Sequence, residues 1–188
     1  TMVTGKPPKE SSSSIFSTIA ILVAAPIVAV LLTMFVFQSY EVDGPSMEAT
    51  LENRDRLIVL KLPRTISKIT RKPYIPNRYD IIIFNTNQVH ILGDGEKTQL
   101  IKRVIALPGE RIVVKDGSVT VYNTEHPDGF APDYDTNYAD NLPGTTTGNV
   151  DTIVGQNEVF VLGDNRVNST DSRIIGAIPA QDIVGKLS

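Results

Sequence analysis

The chain has 188 residues, 41% hydrophobic and 21% charged, with a formal net charge of -3 and no cysteine. That length supports one enzyme-sized core with residues to spare, and the missing cysteines exclude disulfide scaffolds, thiol nucleophiles, iron–sulfur clusters and thiolate zinc sites. The only histidines, His90 and His126, are far apart and outside any H-E-x-x-H context, and the mild acidity argues against nucleic acid as a partner.

Residues 1–14, with Pro7, Pro8 and a serine run, read as a disordered tail. From Ile15 to Phe37 the chain runs IFSTIAILVAAPIVAVLLTMFVF without a charge, long enough to cross a hydrocarbon core of roughly 30 Å. Only Ser17, Thr18 and Thr33 interrupt it, so it predicts a transmembrane helix rather than an amphipathic one, with a kink at Pro26. The residues that follow, Gln38 and Tyr40, are not the small residues of a cleaved leader, so the span reads as an uncleaved anchor. Lys6 and Lys9 precede it, and Glu41, Asp43 and Glu48 follow. The positive-inside bias therefore places the tail in the cytoplasm and residues 38–188 outside.

Beyond Gln38 the pattern changes to short β-rich runs at 57–60, 80–84, 89–92, 99–107, 111–115, 118–122 and 158–162, separated by turn signals at 93–95, 107–109 and 116–117. No helix of useful length is expected after the anchor, and the fold class is mostly β. Lys61, Arg64, Lys68, Arg71, Lys72 and Arg78 form a basic segment without an acid; it reads either as a solvated loop or as a stretch beside anionic headgroups. Residues 125–151 carry six acids and no Lys or Arg, and read as part of a loop-rich insertion spanning 116–155.

Three stretches carry candidate chemistry. In VDGPSMEATL, 42–51, Gly44 and Pro45 make a turn that can present Ser46. In LIKRVIALPGE, 100–110, Lys102 sits within an apolar strand; if it faces inward, desolvation lowers its pKa and frees a neutral amine to act as a base. A lone lysine of this kind more often snorkels to the surface or pairs with an acid. In GDNRVNSTDSR, 163–173, Ser169, Asp171 and Arg173 alternate, which by itself reads as a turn holding an ion pair.

Taken in this order behind an N-terminal anchor, these motifs resemble those of the type I signal peptidases, the membrane-bound Ser-Lys endopeptidases. GPSMEATL, RYDIIIF, IKRVIALPGE, GDNRVNSTDSR and the ending GAIPAQDIVGK are each similar to a family box, and the single anchor is similar to the compact Gram-positive-type members. The resemblance implies a β-sheet catalytic core with an inserted smaller β region. It implies Ser46 as nucleophile, Lys102 as general base, Ser169 as the hydroxyl that orients the lysine, and Asp171 and Arg173 as a supporting pair.

It also implies substrate-binding roles for Tyr40, Val42, Met47, Leu51, Ile83, Leu100 and Ile101. The oxyanion donors would lie at Ser46 and Gly44, the Ser46 N–H being the main one because Gly44 stands where some members carry serine. Restoring serine at 44 is expected to keep or raise kcat if that backbone has a negative φ. No metal or cofactor is called for. The partners implied are the signal peptides of exported preproteins and the lipid bilayer. Ala49, Ala106, Glu110 and Val167 depart from the family boxes. The alternatives are a non-catalytic tethered peptide-binding module and a self-cleaving Ser-Lys regulator, the latter disfavoured by the anchor.

Overall fold

The computed structural model describes residues 12–48, 50–87, 98–134 and 145–187. The tail to residue 11, Ala49, the expected strand at 89–92, the turn at 93–95 and the middle of the acidic stretch lie outside the described residues.

Helix α1, Ser12–Phe35, runs unbroken through Pro26 and exposes its apolar side chains from Ile15 onward, as a helix destined for lipid does. It ends two residues before the predicted boundary because Phe37 is recruited as the first residue of β1, Phe37–Glu41. That strand pairs antiparallel with β2, Arg56–Leu60, in the register Phe37↔Leu60 to Glu41↔Arg56.

Next comes a helix where none was expected: α2, Leu62–Thr70, with proline in its first turn and Arg71 ending it in a left-handed conformation, φ 56°. Leu62, Ile66 and Ile69 do have helical spacing. The segment spans only nine residues and has no side-chain cap, so nothing local announces its ends.

The remaining strands are β3, Ile81–Thr86; β4, Thr98–Ala106; β5, Arg111–Lys115; β6, Ser118–Tyr122; β7, Val150–Ile153; β8, Glu158–Leu162; β9, Ile178–Pro179; and β10, Ile183–Leu187, with a short α3 at Ser172–Ile175. Together with β1 and β2, five of these form one antiparallel sheet among the described residues, in the order β1-β2-β10-β3-β4-β8-β9. A second sheet has the order β6-β5-β7. Its β5–β6 hairpin turns at Asp116 and Gly117, both at positive φ, as the sequence predicted for a two-residue loop.

The small sheet begins earlier than the expected insertion, since β5 is already part of it. It is not a separate body: Ile112, Val114, Val119 and Val121 bury against Ile105, Phe160 and Leu162 of the large sheet. A second cluster, built on Ile82, Phe84, Val104, Val161 and Ile183, lies within the large sheet. A third, of Val42, Met47, Leu51, Leu57 and Ile81, supports the turn that carries Ser46.

Candidate active site

Lys102 lies in the middle of β4, directly opposite Ile82 of β3, and is 2% exposed. Its Nζ is 2.6 Å from Ser46 Oγ and donates a 2.7 Å hydrogen bond to the Ile101 carbonyl. Burial depresses its pKa from 10.5 to about 8, against the opposing pull of Asp171 and Asp164. An amine titrating there can be neutral at working pH and accept the proton of the serine it touches. The inward orientation that strand alternation left open is thus the one adopted, and the lysine neither snorkels nor pairs directly with an acid.

Ser46 is positioned by its backbone. Met47 is fully buried beneath it, and the Ser46 carbonyl accepts 3.0 Å from Asn165 N–H, while Asn165 Nδ2 donates to the Pro45 carbonyl. The 163–173 loop therefore holds the Ser46 turn from one side. Asp171, wholly buried, receives Gly163 N–H at 3.0 Å, caps α3 and binds the Arg173 guanidinium through both oxygens at 2.8 and 2.7 Å. The expected Asp171–Arg173 pair is present, and Arg173 also donates to the Thr147 carbonyl.

Ser169 sits in the same wall, yet its Oγ is buried without a hydrogen-bond partner, so the expected bond to the Lys102 amine is absent; that amine is already directed at Ser46 and Ile101. Gly163 explains how close this wall comes. A Cβ on Gly163 would collide with the Ser169 hydroxyl and the Ser46 carbonyl.

A second ion pair went unread in the sequence. Arg103 binds Asp164 in bidentate fashion at 2.9 and 2.6 Å, and Asp164 also accepts 2.6 Å from Thr50 Oγ1, tying the far end of the Ser46 turn to the same loop. Arg103 follows Lys102 and Asp164 follows Gly163 in the two motifs, so both partners of this pair stand beside residues already singled out.

A narrow cleft of about 160 Å³ opens at Ser46 and Lys102, lined by Tyr40, Val42, Ile83, Leu100 and Ile101 among others. Five of the seven expected substrate-binding residues are therefore assembled at the dyad. Met47 and Leu51 are not; both are buried in the cluster beneath, where they support the wall. Leu57, Glu41, Asp43 and Gln99 join the lining instead. From Thr98 to Lys102, β4 pairs with β3 alone, and β8 joins only from Arg103 onward, so among the described residues the edge of β4 facing the cleft is open. Among these residues no group of carboxylates and imidazoles could hold a metal ion.

Gly44 departs from expectation. Its φ is +101°, not the negative value on which a serine there depends, and its N–H donates 3.1 Å to Asn53 Oδ1, so that amide is engaged within the turn. The other departures are accommodated. Val167 is exposed and Ala106 fills a core site. Burial alone would raise the Glu110 pKa, but hydrogen bonds from Arg78 at 2.6 Å, Asn123 at 2.8 Å and Leu107 N–H at 2.7 Å hold it below the usual carboxylate value.

The family model for signal peptidase, peptidase S26, matches residues 15–188. The chain is 37% identical over 172 residues to a signal peptidase I of Bacillus caldolyticus, covering 88% of this chain and 84% of that one. It is 32% identical over 166 residues to signal peptidase I T of Bacillus subtilis, covering 87% and 78%. The crystal structure of a signal peptidase I from Enterococcus faecalis aligns over 60% of this chain and 97% of its own, at 27% identity and a TM-score of 0.45. A serine bonded to a buried lysine at the head of an apolar cleft, behind one apolar helix, stands in a chain that belongs to the type I signal peptidases, the membrane serine endopeptidases that remove signal peptides.

Proposed function

We propose that Ser46 is the nucleophile and Lys102 the general base of this peptidase. The observation that carries the assignment is the 2.6 Å separation of a hydroxyl from an amine that burial holds near neutrality. Neutral Lys102 accepts the Ser46 proton as Oγ attacks the scissile carbonyl. The protonated lysine then delivers that proton to the leaving amine, and the neutral amine left behind activates water against the acyl-enzyme. Ser46 N–H is the proposed oxyanion donor. Ser169 acts as a positioning residue: its hydroxyl is buried without a partner, a state that costs about 1–3 kcal/mol, in the wall that meets the Ser46 carbonyl at Gly163.

The substrate adds as a strand along the open edge of β4, opposite Tyr40 and Val42, with alternate side chains entering the cleft. A space of about 160 Å³ is small beside the roughly 300–1,000 Å³ of ordinary ligand pockets. It suits small side chains before the cut. Charge flanking α1 supports a cytoplasmic N-terminus and a catalytic region on the outer face of the membrane, where exported preproteins emerge.

The test is cleavage of a preprotein by the full chain in detergent. Ser46→Ala and Lys102→Ala are each expected to abolish turnover, and Ser169→Ala to lower it; turnover by Lys102→Ala would remove the lysine from its role. A preprotein with phenylalanine in place of alanine immediately before the cut is expected to resist cleavage.

A further inference from the structure

Helix α2 is mounted the wrong way round for a helix of a water-soluble domain. Its half-buried residues include Arg64 and Ser67, whereas Ile66 is 50% and Ile69 77% exposed. An amphipathic helix on a protein surface ordinarily turns its apolar stripe inward. Here the polar stripe faces the protein: Arg64 and Ser67, with the more exposed Lys68, Arg71 and Lys72, line a groove of about 650 Å³ between α2 and the β8–β9 end of the sheet, whereas Ile66 and Ile69 do not.

The surroundings identify what the outward face meets. The start of α2 is bonded to the last turn of α1: Lys61 N–H donates 2.7 Å to the Val36 carbonyl, Lys61 Nζ 3.0 Å to the Met34 carbonyl, and Thr65 Oγ1 3.2 Å to the Phe35 carbonyl. These are the carbonyls where the apolar span ends, so α2 is fixed at the depth where hydrocarbon gives way to headgroups. The segment that carries the two isoleucines supplies only positive charge, Glu158 of β8 being the acid across the groove. Lys68, Arg71 and Lys72 are exposed, and no acid occurs between Lys61 and Arg78.

We propose that α2 lies in the membrane interface, with Ile66 and Ile69 inserted at the top of the acyl chains and Lys68, Arg71 and Lys72 on the phosphates of anionic phospholipids. The helix is a second membrane contact, independent of the peptidase assignment. An apolar face inserts about 5–10 Å into the headgroup–acyl boundary, and neighbouring basic residues each strengthen attraction to an anionic surface roughly fivefold. Lipid occupies the face because it is continuous with the span that is already lipid-exposed.

The protein has no tryptophan, so Ile69→Trp gives a single reporter in the full chain. In proteoliposomes of phosphatidylcholine and phosphatidylglycerol its emission is expected to be blue-shifted. Lipids brominated near the headgroup end of the acyl chain should quench it more than lipids brominated at the chain terminus. In Lys68→Gln/Arg71→Gln/Lys72→Gln the excess quenching in anionic over pure phosphatidylcholine bilayers is expected to vanish.

A water-like emission, or a blue shift that brominated lipid does not quench, overturns the proposal, the latter because protein rather than lipid then covers the face. An anionic preference that survives the triple substitution overturns the phosphate contacts. Preprotein cleavage by Ile69→Trp in detergent, expected to match the parent, separates failure of this helix from failure of the peptidase assignment.

Discussion

The role proposed for Lys102 rests on its being uncomfortable where it sits. A lysine with a folded pKa near 8 and an unfolded pKa near 10.5 is held neutral by burial, so protonating it below pH 8 places a charge in a dry site and weakens the fold. Activity is expected to rise with pH through about 8 as the amine loses its proton, read as kcat/KM across the neutral and alkaline range. Lys102→Met should be inactive but more stable by on the order of 2–3 kcal/mol at neutral pH. That advantage should close as pH climbs from 8 toward 10.5, measured by urea unfolding in detergent micelles.

Gly44 shows a different constraint. Nothing lies within 4 Å of where its Cβ would be, yet at φ +101° an L side chain strains the backbone by roughly 1–2 kcal/mol. Gly44→Ala and Gly44→Ser are therefore expected to lose stability and kcat alike, because the negative φ on which an unchanged or raised kcat depended is absent. Equal losses in the two would identify the backbone as the cause; a serine variant faster than its parent would show that the hydroxyl outweighs the strain. The sign of φ was invisible in the sequence because a glycine before proline is compatible with either.

The loop from 163 to 173 shows how one element can set both geometry and charge. Asp171 bonds Gly163 N–H, caps α3 and grips Arg173, and it also raises the Lys102 pKa from a distance. Asp171→Asn is expected to cost about 3–5 kcal/mol, as broken buried pairs do. In the fraction that folds, the acid limb of the pH–rate profile should move to lower pH, since a charge favouring the ammonium is gone. An unmoved limb would mean that Asp171 acts on stability alone. Strands and turns of this kind were legible in sequence, because period-two runs and the Asp116–Gly117 pair act locally. Helix α2 was not, since what holds it lies elsewhere: carbonyls of α1, a groove against β8 and β9, and a solvent that is not water.

The two sheets share one core through Ile105, Phe160 and Leu162, and a buried arginine pins them further. Arg166, 1% exposed, binds both oxygens of Asp133 and the Thr146 hydroxyl, joining the catalytic loop to the inserted region. Family boxes located the dyad but not this union, because contacts between Arg166 and residues 20 and 33 positions away follow no local period. Strand order has a consequence for how the enzyme comes into being. The seat between β2 and β3 belongs to β10, which follows every other described strand in the chain. Without it, β2 keeps only β1, and the cleft wall of Tyr40 and Val42 parts from the wall bearing Lys102. A chain stopped after Asp182 is expected to bind the membrane yet cleave nothing. Activity is therefore expected to wait until β10 has emerged from the ribosome and taken that seat.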